Sequence, residues 1–384
     1  MAGLLPQAWS LPSTQFDKIN KEEPLPSWDV AIVGGGPAGS AAAITLRDRH
    51  PTLSVGLLEA SLFDEPRVGE ILTPAAAPVL RHLRMMEAFE RECSRPVHAS
   101  AVSWGQASIV ESPHLFSLHG PGWHLNRTRF DALLADQAEQ CGVTVRRGCR
   151  AVSLENEGGE WRFQFASGET ATCRFMIDAT GRNASASRNT GAQIIAMDHL
   201  VGFICFFDSP KEEDPRTLIE SVDYGWWYSG ALQDGLRIVA CMTDADIGRD
   251  LNLSDRASWL DRLSKTVHIA GAVGKDSVAG RPVVRSAASQ YLNKVCGQNW
   301  IAAGDAALAL DPLSGQGILA ALRSGIFAAY AAGDFLEGGD NSGLSRYQNF
   351  IGRTREGYLQ ARRRYYSQEQ RWPHSTFWQR RGEA

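Results

Sequence analysis

Apolar residues in this chain fall into short unbroken runs separated by longer stretches of helical period. Asp29-Val30-Ala31-Ile32-Val33 is one such run and ends in glycines, the pattern of a strand buried on both faces. An Ala/Leu-rich stretch to about residue 49 predicts a helix, and 53–59 predicts a second strand, so the body opens with a βαβ unit. From about 96 to 122 the helical period is lost and residues alternate as in strands. A helix is expected over 128–141, with Phe130, Leu133, Leu134 and Ala138 on one face. Strand pattern returns up to 174–178, and again from about 194 to 285 in segments rich in Phe, Trp and Tyr. Residues 300–303 form another buried run entering a glycine turn, followed by a long Ala-rich helix from about 317 to 336. From about 340 the chain is helical, basic and aromatic.

This order predicts an α/β (α+β) protein. A discontinuous Rossmann-like domain is expected from 28–95, 120–190 and 286–338, with a smaller antiparallel-sheet, substrate-facing domain from 96–119 and 191–285. A helical segment, 339–384, closes the chain. Residues 1–27 carry Pro6, Pro12, Pro24 and Pro26 and read as a flexible leader; a basic region followed by an apolar one is missing, so they are not read as a secretory signal. No run of about 18 apolar residues predicts a membrane span. The 384 residues are 43% hydrophobic and 21% charged, with net charge −4, which leaves no global basic field to recruit nucleic acid. Seven cysteines stand singly without a CxxC, so neither a metal site nor a dithiol pair is expected. The odd count suits a reducing compartment, the cytoplasm.

Chemistry enters at Gly34-x-Gly36-Pro37-Ala38-Gly39, placed between strand and helix. Gly34 permits the tight turn, Gly36 lets a pyrophosphate approach the backbone, and Gly39 lets helix pack on strand. The pyrophosphate then faces the positive end of the helix. Glu59, twenty residues after Gly39, ends the second strand where a ribose hydroxyl is expected.

The segment Gly304-Asp305-Ala306-Ala307, followed by Asp311-Pro312-Leu313-Ser314-Gly315-Gln316-Gly317, resembles the second FAD fingerprint of class A flavoprotein monooxygenases. The resemblance implies FAD in a fold of glutathione-reductase type, with Asp305 on the ribityl chain. Gly304, Pro312, Gly315 and Gly317 would bring a loop and a helix N-terminus to the flavin pyrimidine ring, where positive charge favours the anionic reduced flavin. Asp178-Ala179-Thr180-Gly181-Arg182 resembles a strand-end segment of the same families but departs from the Asp-Gly motif that assists pyridine-nucleotide binding. No second GxGxxG follows a strand, so electrons are expected from NAD(P)H or from a separate flavin reductase. In Trp123-His124-Leu125-Asn126-Arg127-Thr128-Arg129-Phe130-Asp131, the helix start resembles one whose arginine meets the cofactor; that role is assigned to Arg127, with Arg129 as rival.

Arg67-Val68-Gly69-Glu70 resembles the "VGE" stretch of flavin-dependent halogenases and geranylgeranyl-reductase-like flavoproteins, which lies near the isoalloxazine. Arg67 is placed at the cofactor; Glu70 is a base or a cap on the next helix. Gly225-Trp226-Trp227-Tyr228 resembles the halogenase "GWxW" stretch, so Trp226 and Tyr228 wall a water-excluding tunnel or are core aromatics of a sheet. Halogenases also need a lysine tens of residues after VGE, and no lysine occurs between Lys21 and Lys211, which speaks against halogenation. The tail, with Tyr365-Tyr366, Arg371-Trp372-Pro373 and Phe377-Trp378-Gln379-Arg380-Arg381, resembles the flavoproteins that modify a tryptophan in precursors of cysteine tryptophylquinone enzymes. Simple docking with solvated arginines is the other reading of this tail.

That resemblance implies a monooxygenase using O2 as co-substrate to hydroxylate a tryptophan of a precursor protein, with Glu70 and His124 as candidate bases. Oxidation of a small aromatic metabolite, saturation of a polyprenyl chain, and a non-catalytic FAD-binding partner remain as alternatives.

Overall fold

Val30, Ala31 and Ile32 are wholly buried because their strand, Ser27–Val33, is the middle of five parallel strands. The order is Trp300–Ala302, Thr170–Asp178, Ser27–Val33, Val55–Leu58, Thr144–Arg146. Register brings the strand ends together: Val33 lies beside Asp178 and Leu58, and Asp178 beside Ala302. The crevice beyond the carboxyl ends of such strands is where α/β sheets bind ligands. The computed structural model describes residues 26–65, 67–113, 118–208, 214–232, 235–273 and 278–382. Most of the leader expected at 1–27 therefore lies outside the described residues, and Ser27 already belongs to the first strand.

Helix Pro37–Arg49 begins with proline at its first turn, where the missing N–H costs nothing. It packs against helix Arg127–Gln140 and against helix Gly317–Gly338. Asn126 caps Arg127–Gln140 by accepting from Arg129 N at 3.1 Å, and Phe130, Leu134 and Ala138 are buried as the helical period predicts. Gly317–Gly338 is long and apolar enough to cross a membrane, although no apolar run was expected to qualify; 61% of its apolar window is buried inside the protein, where Leu322, Ala328 and Ala332 have no exposure.

A seven-stranded sheet carries the aromatic segments, in the order Val278–Ser286, Leu200–Asp208, Leu236–Asp244, Gly225–Ala231, Thr217–Val222, Ala99–Ser103, Val110–Pro113. Only Thr217–Val222 with Ala99–Ser103 is parallel among these pairs. The strand segments expected over 194–285 are present, but they do not fill the region. Three helices, Ala245–Asp250, Arg256–Ser264 and Ile269–Val273, interrupt them. Asp255 caps the second by accepting from Ser258 N at 3.0 Å, and Trp259 and Leu263, four apart, are its buried face. Trp259 packs edge-on against Trp227 at 5.0 Å, which ties this helix to the sheet.

The tail forms helices Ser342–Tyr366 and Thr376–Gly382. Arg362 and Arg381 are buried, whereas Arg380 is exposed. Arg381 is 4% exposed and pairs with Asp244 at 2.7 Å; Arg362 pairs with Asp198 at 3.0 Å. Arg380 reaches both Asp244 and Asp246.

The crossing of helices Pro37–Arg49 and Gly317–Gly338 depends on Gly325, where a Cβ would sit 2.1 Å from the Ala38 carbonyl oxygen. Gly325→Val is expected to destabilise by about 1–3 kcal/mol or more, because backbone must move to admit it. Thermal unfolding of the apoprotein measures this, and an unchanged midpoint would contradict the close approach.

Candidate functional site

Glycine at three positions brings backbone to the strand ends. A Cβ on Gly34, whose φ is +107°, would lie 2.2 Å from Ala179 O, and one on Gly39 would lie 1.9 Å from Gly34 O. Gly304, at φ +63°, approaches Ala38 in the same way, with a Cβ separation of 2.8 Å. Gly36 differs: nothing lies within 4 Å of its would-be Cβ. It opens into a cavity of about 760 Å³. The same cavity is lined by Gly34, Pro37, Ala38, Glu59, Arg67, Glu70, Arg127, Trp226, Tyr228, Gly304, Asp305, Pro312, Gly315 and Gly317. Two helix N-termini face it, at Pro37 and at Gly317. Neither has a side-chain cap nor an acidic residue in its first turn, so unpaired N–H groups and positive dipole ends point into the cavity.

Charged groups are held in fixed networks around this cradle. Glu59 Oε2 accepts from Gly35 N at 2.7 Å; Oε1 accepts from Ser61 N, Ser61 Oγ and Arg67 Nη2. Burial pushes the Glu59 carboxyl up, but Ser61, Gly35 and Arg67 outweigh it and hold the group below its ordinary value. One lone pair of Oε2 is left for a ligand hydroxyl. Asp131, completely buried, accepts from Arg67 Nη1 at 2.8 Å and from Arg127 Nε and Nη2 at 3.2 and 3.1 Å. Arg127 Nη1 also donates to the carbonyls of Val68 and Gly69. The two arginines are therefore set by one carboxylate, and Arg127 ties the Arg67–Glu70 loop to the helix behind it.

Asp305 stands 3.4 Å from Arg182 Nε, with 34% of its side chain open toward the cavity. Burial pushes its carboxyl up, and Arg182 and Arg127 pull it partly back. Asp311 is 2% exposed; it accepts from Leu313 N at 2.9 Å and from the Tyr366 hydroxyl at 2.8 Å, which pins the Pro312–Gly315 turn to the tail. Asp178 is spent on its own turn, accepting from Thr180 N and Oγ1 and from Ser187 N.

Beyond the cradle the cavity becomes apolar, walled by Ile204, Ile219, Trp226, Ile238, Ala240 and Met242. Glu70 and Tyr228 face this chamber together. Glu70 is 5% exposed and accepts from Gly69 N at 2.7 Å. Burial pushes its carboxyl above the ordinary value; Tyr228, the Gly69 N–H and Arg127 counter only part of that. The Tyr228 hydroxyl, pushed up by burial and by Glu70, is buried and has no aligned hydrogen-bond partner among the described residues.

Two expected residues are not on the cavity. Gly39 lies underneath, as its packing role requires. His124 is a correction: it is fully buried behind the wall, with Nδ1 against Ala231 O at 2.9 Å and Nε2 against Thr217 Oγ1 at 2.8 Å, so no ring nitrogen reaches the chamber. Between the rival arginines, Arg127 lines the cavity and Arg129 is exposed elsewhere. Sequence reasoning missed Asp131, although its spacing of four from Arg127 on a predicted helix was a usable signal. It also missed Arg182 and Tyr366, which only tertiary structure brings to the site.

A family model described as an FAD binding domain matches residues 27–350. The FAD-dependent oxidoreductase LodB of Marinomonas mediterranea is 34% identical over 366 residues, 93% of this chain and 97% of that one. A 1H-pyrrole-2-carbonyl-[peptidyl-carrier protein] chlorinase of Pseudomonas fluorescens is 25% identical, covering 86% of this chain and 81% of its own length. Among solved structures, the myxobacterial chondrochloren halogenase CndH superposes with a TM-score of 0.85 at 21% identity, over 93% of this chain and 86% of that one. The peptidyl tryptophan dihydroxylase QhpG superposes with a TM-score of 0.72 at 25% identity, over 92% and 78%.

Because a Cβ at position 36 meets only open space, Gly36→Val is expected to fold as the wild type does and to purify without flavin absorbance. Retention of full flavin by a folded Gly36→Val variant would contradict the cradle. With a family match over most of its length and a relative at 34% identity, the chain belongs to the FAD-binding domain family and is a flavin-dependent oxidoreductase whose fold is shared with flavin-dependent halogenases.

Proposed function

We propose that this protein is an FAD-dependent monooxygenase that hydroxylates a tryptophan side chain of a precursor protein during tryptophylquinone cofactor biogenesis. The observation that carries this reading is the apolar chamber next to the nucleotide cradle, with a buried carboxyl, Glu70, facing it and no lysine among the described residues of its lining. A hypohalous-acid route calls for a lysine there. The 34% identity to LodB and the likeness to QhpG, a peptidyl tryptophan dihydroxylase essential for tryptophylquinone cofactor biogenesis, support the same choice.

The residues present fit FAD. The Gly36 opening at the Pro37 helix end takes the pyrophosphate, and the free lone pair of Glu59 Oε2 takes a ribose hydroxyl. Asp305 and the Pro312–Gly317 turn, which line the cavity, would hold the ribityl chain and the flavin ring. When bound and reduced, by NAD(P)H or a separate reductase, FAD supplies the means of activating O2. Ile204, Ile219, Trp226 and Met242 exclude water and orient the indole ring. Glu70 Oε takes the ring proton that leaves as the carbon–oxygen bond forms.

Intact mass of a tryptophylquinone-enzyme precursor, co-expressed with and without this protein, tests the substrate. A gain of one or two oxygen atoms on a tryptophan peptide is expected; an unmodified precursor, with reducible FAD present, would move the reading to a small aromatic substrate. Glu70→Gln is expected to keep FAD and lower turnover by about 10²-fold or more. A base acts as its carboxylate, and burial raises the Glu70 carboxyl, so wild-type turnover should rise with pH through a midpoint above the ordinary glutamate value. A pH-independent rate in the same range would remove Glu70 from that role.

A further inference from the structure

Trp226 ends on a polar relay that the hydroxylation does not use. Its ring lines the cavity, and its Nε1–H donates to the Tyr366 hydroxyl oxygen at 3.2 Å. Tyr366 O–H in turn donates to Asp311 Oδ2 at 2.8 Å. All three side chains are at most 3% exposed, so water does not interrupt the line. Two guanidinium groups flank the tyrosine: Arg362 and Arg381 each lie 5.3 Å from its ring centroid. Trp104, Trp378 and Phe377 also pack on it, with ring centroids 5.7, 6.0 and 6.4 Å away.

We propose that Trp226, Tyr366 and Asp311 form an electron-and-proton relay that returns an electron to the cavity when a one-electron oxidant arises there without substrate. The oxidant is an oxygen radical of hydroperoxyl class, formed when reduced flavin and O2 react unproductively. It takes an electron from Trp226 and becomes the hydroperoxide anion. Trp226 is restored by an electron from Tyr366. The Tyr366 O–H proton passes to Asp311, which leaves a neutral phenoxyl and a neutral carboxylic acid. Charge is thereby conserved: one carboxylate is lost and one hydroperoxide is gained.

The flanking charges select this outcome. A tyrosine radical cation beside two guanidinium groups is strongly disfavoured, so oxidation of Tyr366 requires its proton to leave. Asp311 is hydrogen-bonded at the right atom to take it. The Trp226 N–H remains as a donor to the phenoxyl oxygen. A hydrogen-bonded aromatic pair is common as packing; here the phenol also donates to a buried carboxylate, Asp311, whose Oδ2 lies 3.7 Å from Arg362 Nε, while Arg362 and Arg381 pair at closer range with Asp198 and Asp244. The relay concerns the flavin site alone and is independent of which aromatic substrate that site takes.

Blue-light illumination of the anaerobic FAD holoenzyme supplies a one-electron oxidant on demand, since excited oxidised flavin draws an electron from a nearby aromatic ring. Electron paramagnetic resonance of the wild type is expected to give a neutral tyrosine phenoxyl signal, formed more slowly in D2O. Tyr366→Phe keeps the ring packing and, reconstituted to the wild-type flavin content, should lose that signal. Trp378→Phe, with the relay intact, should keep it. Absence of a phenoxyl signal in the wild type, its persistence in Tyr366→Phe, or an equal rate of formation in D2O would each overturn the relay.

Discussion

Everything at the site depends on how closely backbone can approach backbone around Ala38. Gly34 and Gly39 let the first helix sit directly on the strand ends, Gly304 tucks against Ala38, and Gly325 lets the long core helix cross at the same point. A side chain at any of these positions would push the helices apart. With them in place, two helix N-termini converge on one cavity with no cap and no acid of their own. Such ends are satisfied by an anion. The fold thus creates an electrostatic demand that a dinucleotide carrying a pyrophosphate and an electron-accepting ring meets at both ends.

Around that demand the carboxylates are sorted by environment. Glu59 is held down by the donors of Gly35, Ser61 and Arg67, and is suited to accept from a hydroxyl. Asp131 serves only to fix two arginines. Asp305 and Glu70 are pushed up by burial, one in the polar half of the cavity and one in the apolar half. The raised group in the apolar half is the one proposed as the base for a reacting ring. The tail belongs to this arrangement as well, because Tyr366 holds both Asp311 and Trp226 while Arg381 and Asp244 anchor the last helix.

Local pattern was enough to read the cradle. The Gly34-x-Gly36-x-x-Gly39 turn, Glu59, and the Gly304-Asp305 and Pro312–Gly317 segments are short motifs whose geometry follows from glycine and a helix end, and all but the packing glycine line the cavity. The antiparallel sheet was legible through alternation, but its helical interruption was not read, although Trp259 and Leu263, four apart behind the Asp255 cap, were a usable signal. His124 misled because a histidine beside a motif looks chemical, whereas both its nitrogens bridge to the neighbouring sheet. The pairing of Arg182 with Asp305 and of Tyr366 with Asp311 joins residues 123 and 55 positions apart (305 − 182; 366 − 311), a separation no local pattern encodes.

The account centres on insertion of oxygen from O2 into an aromatic ring held in the apolar chamber. Isotope labelling addresses that directly: turnover under ¹⁸O2 in ordinary water, followed by mass analysis of the modified tryptophan peptide. Every added oxygen should carry the heavy isotope. Oxygen at natural abundance, drawn from water, would contradict a monooxygenase.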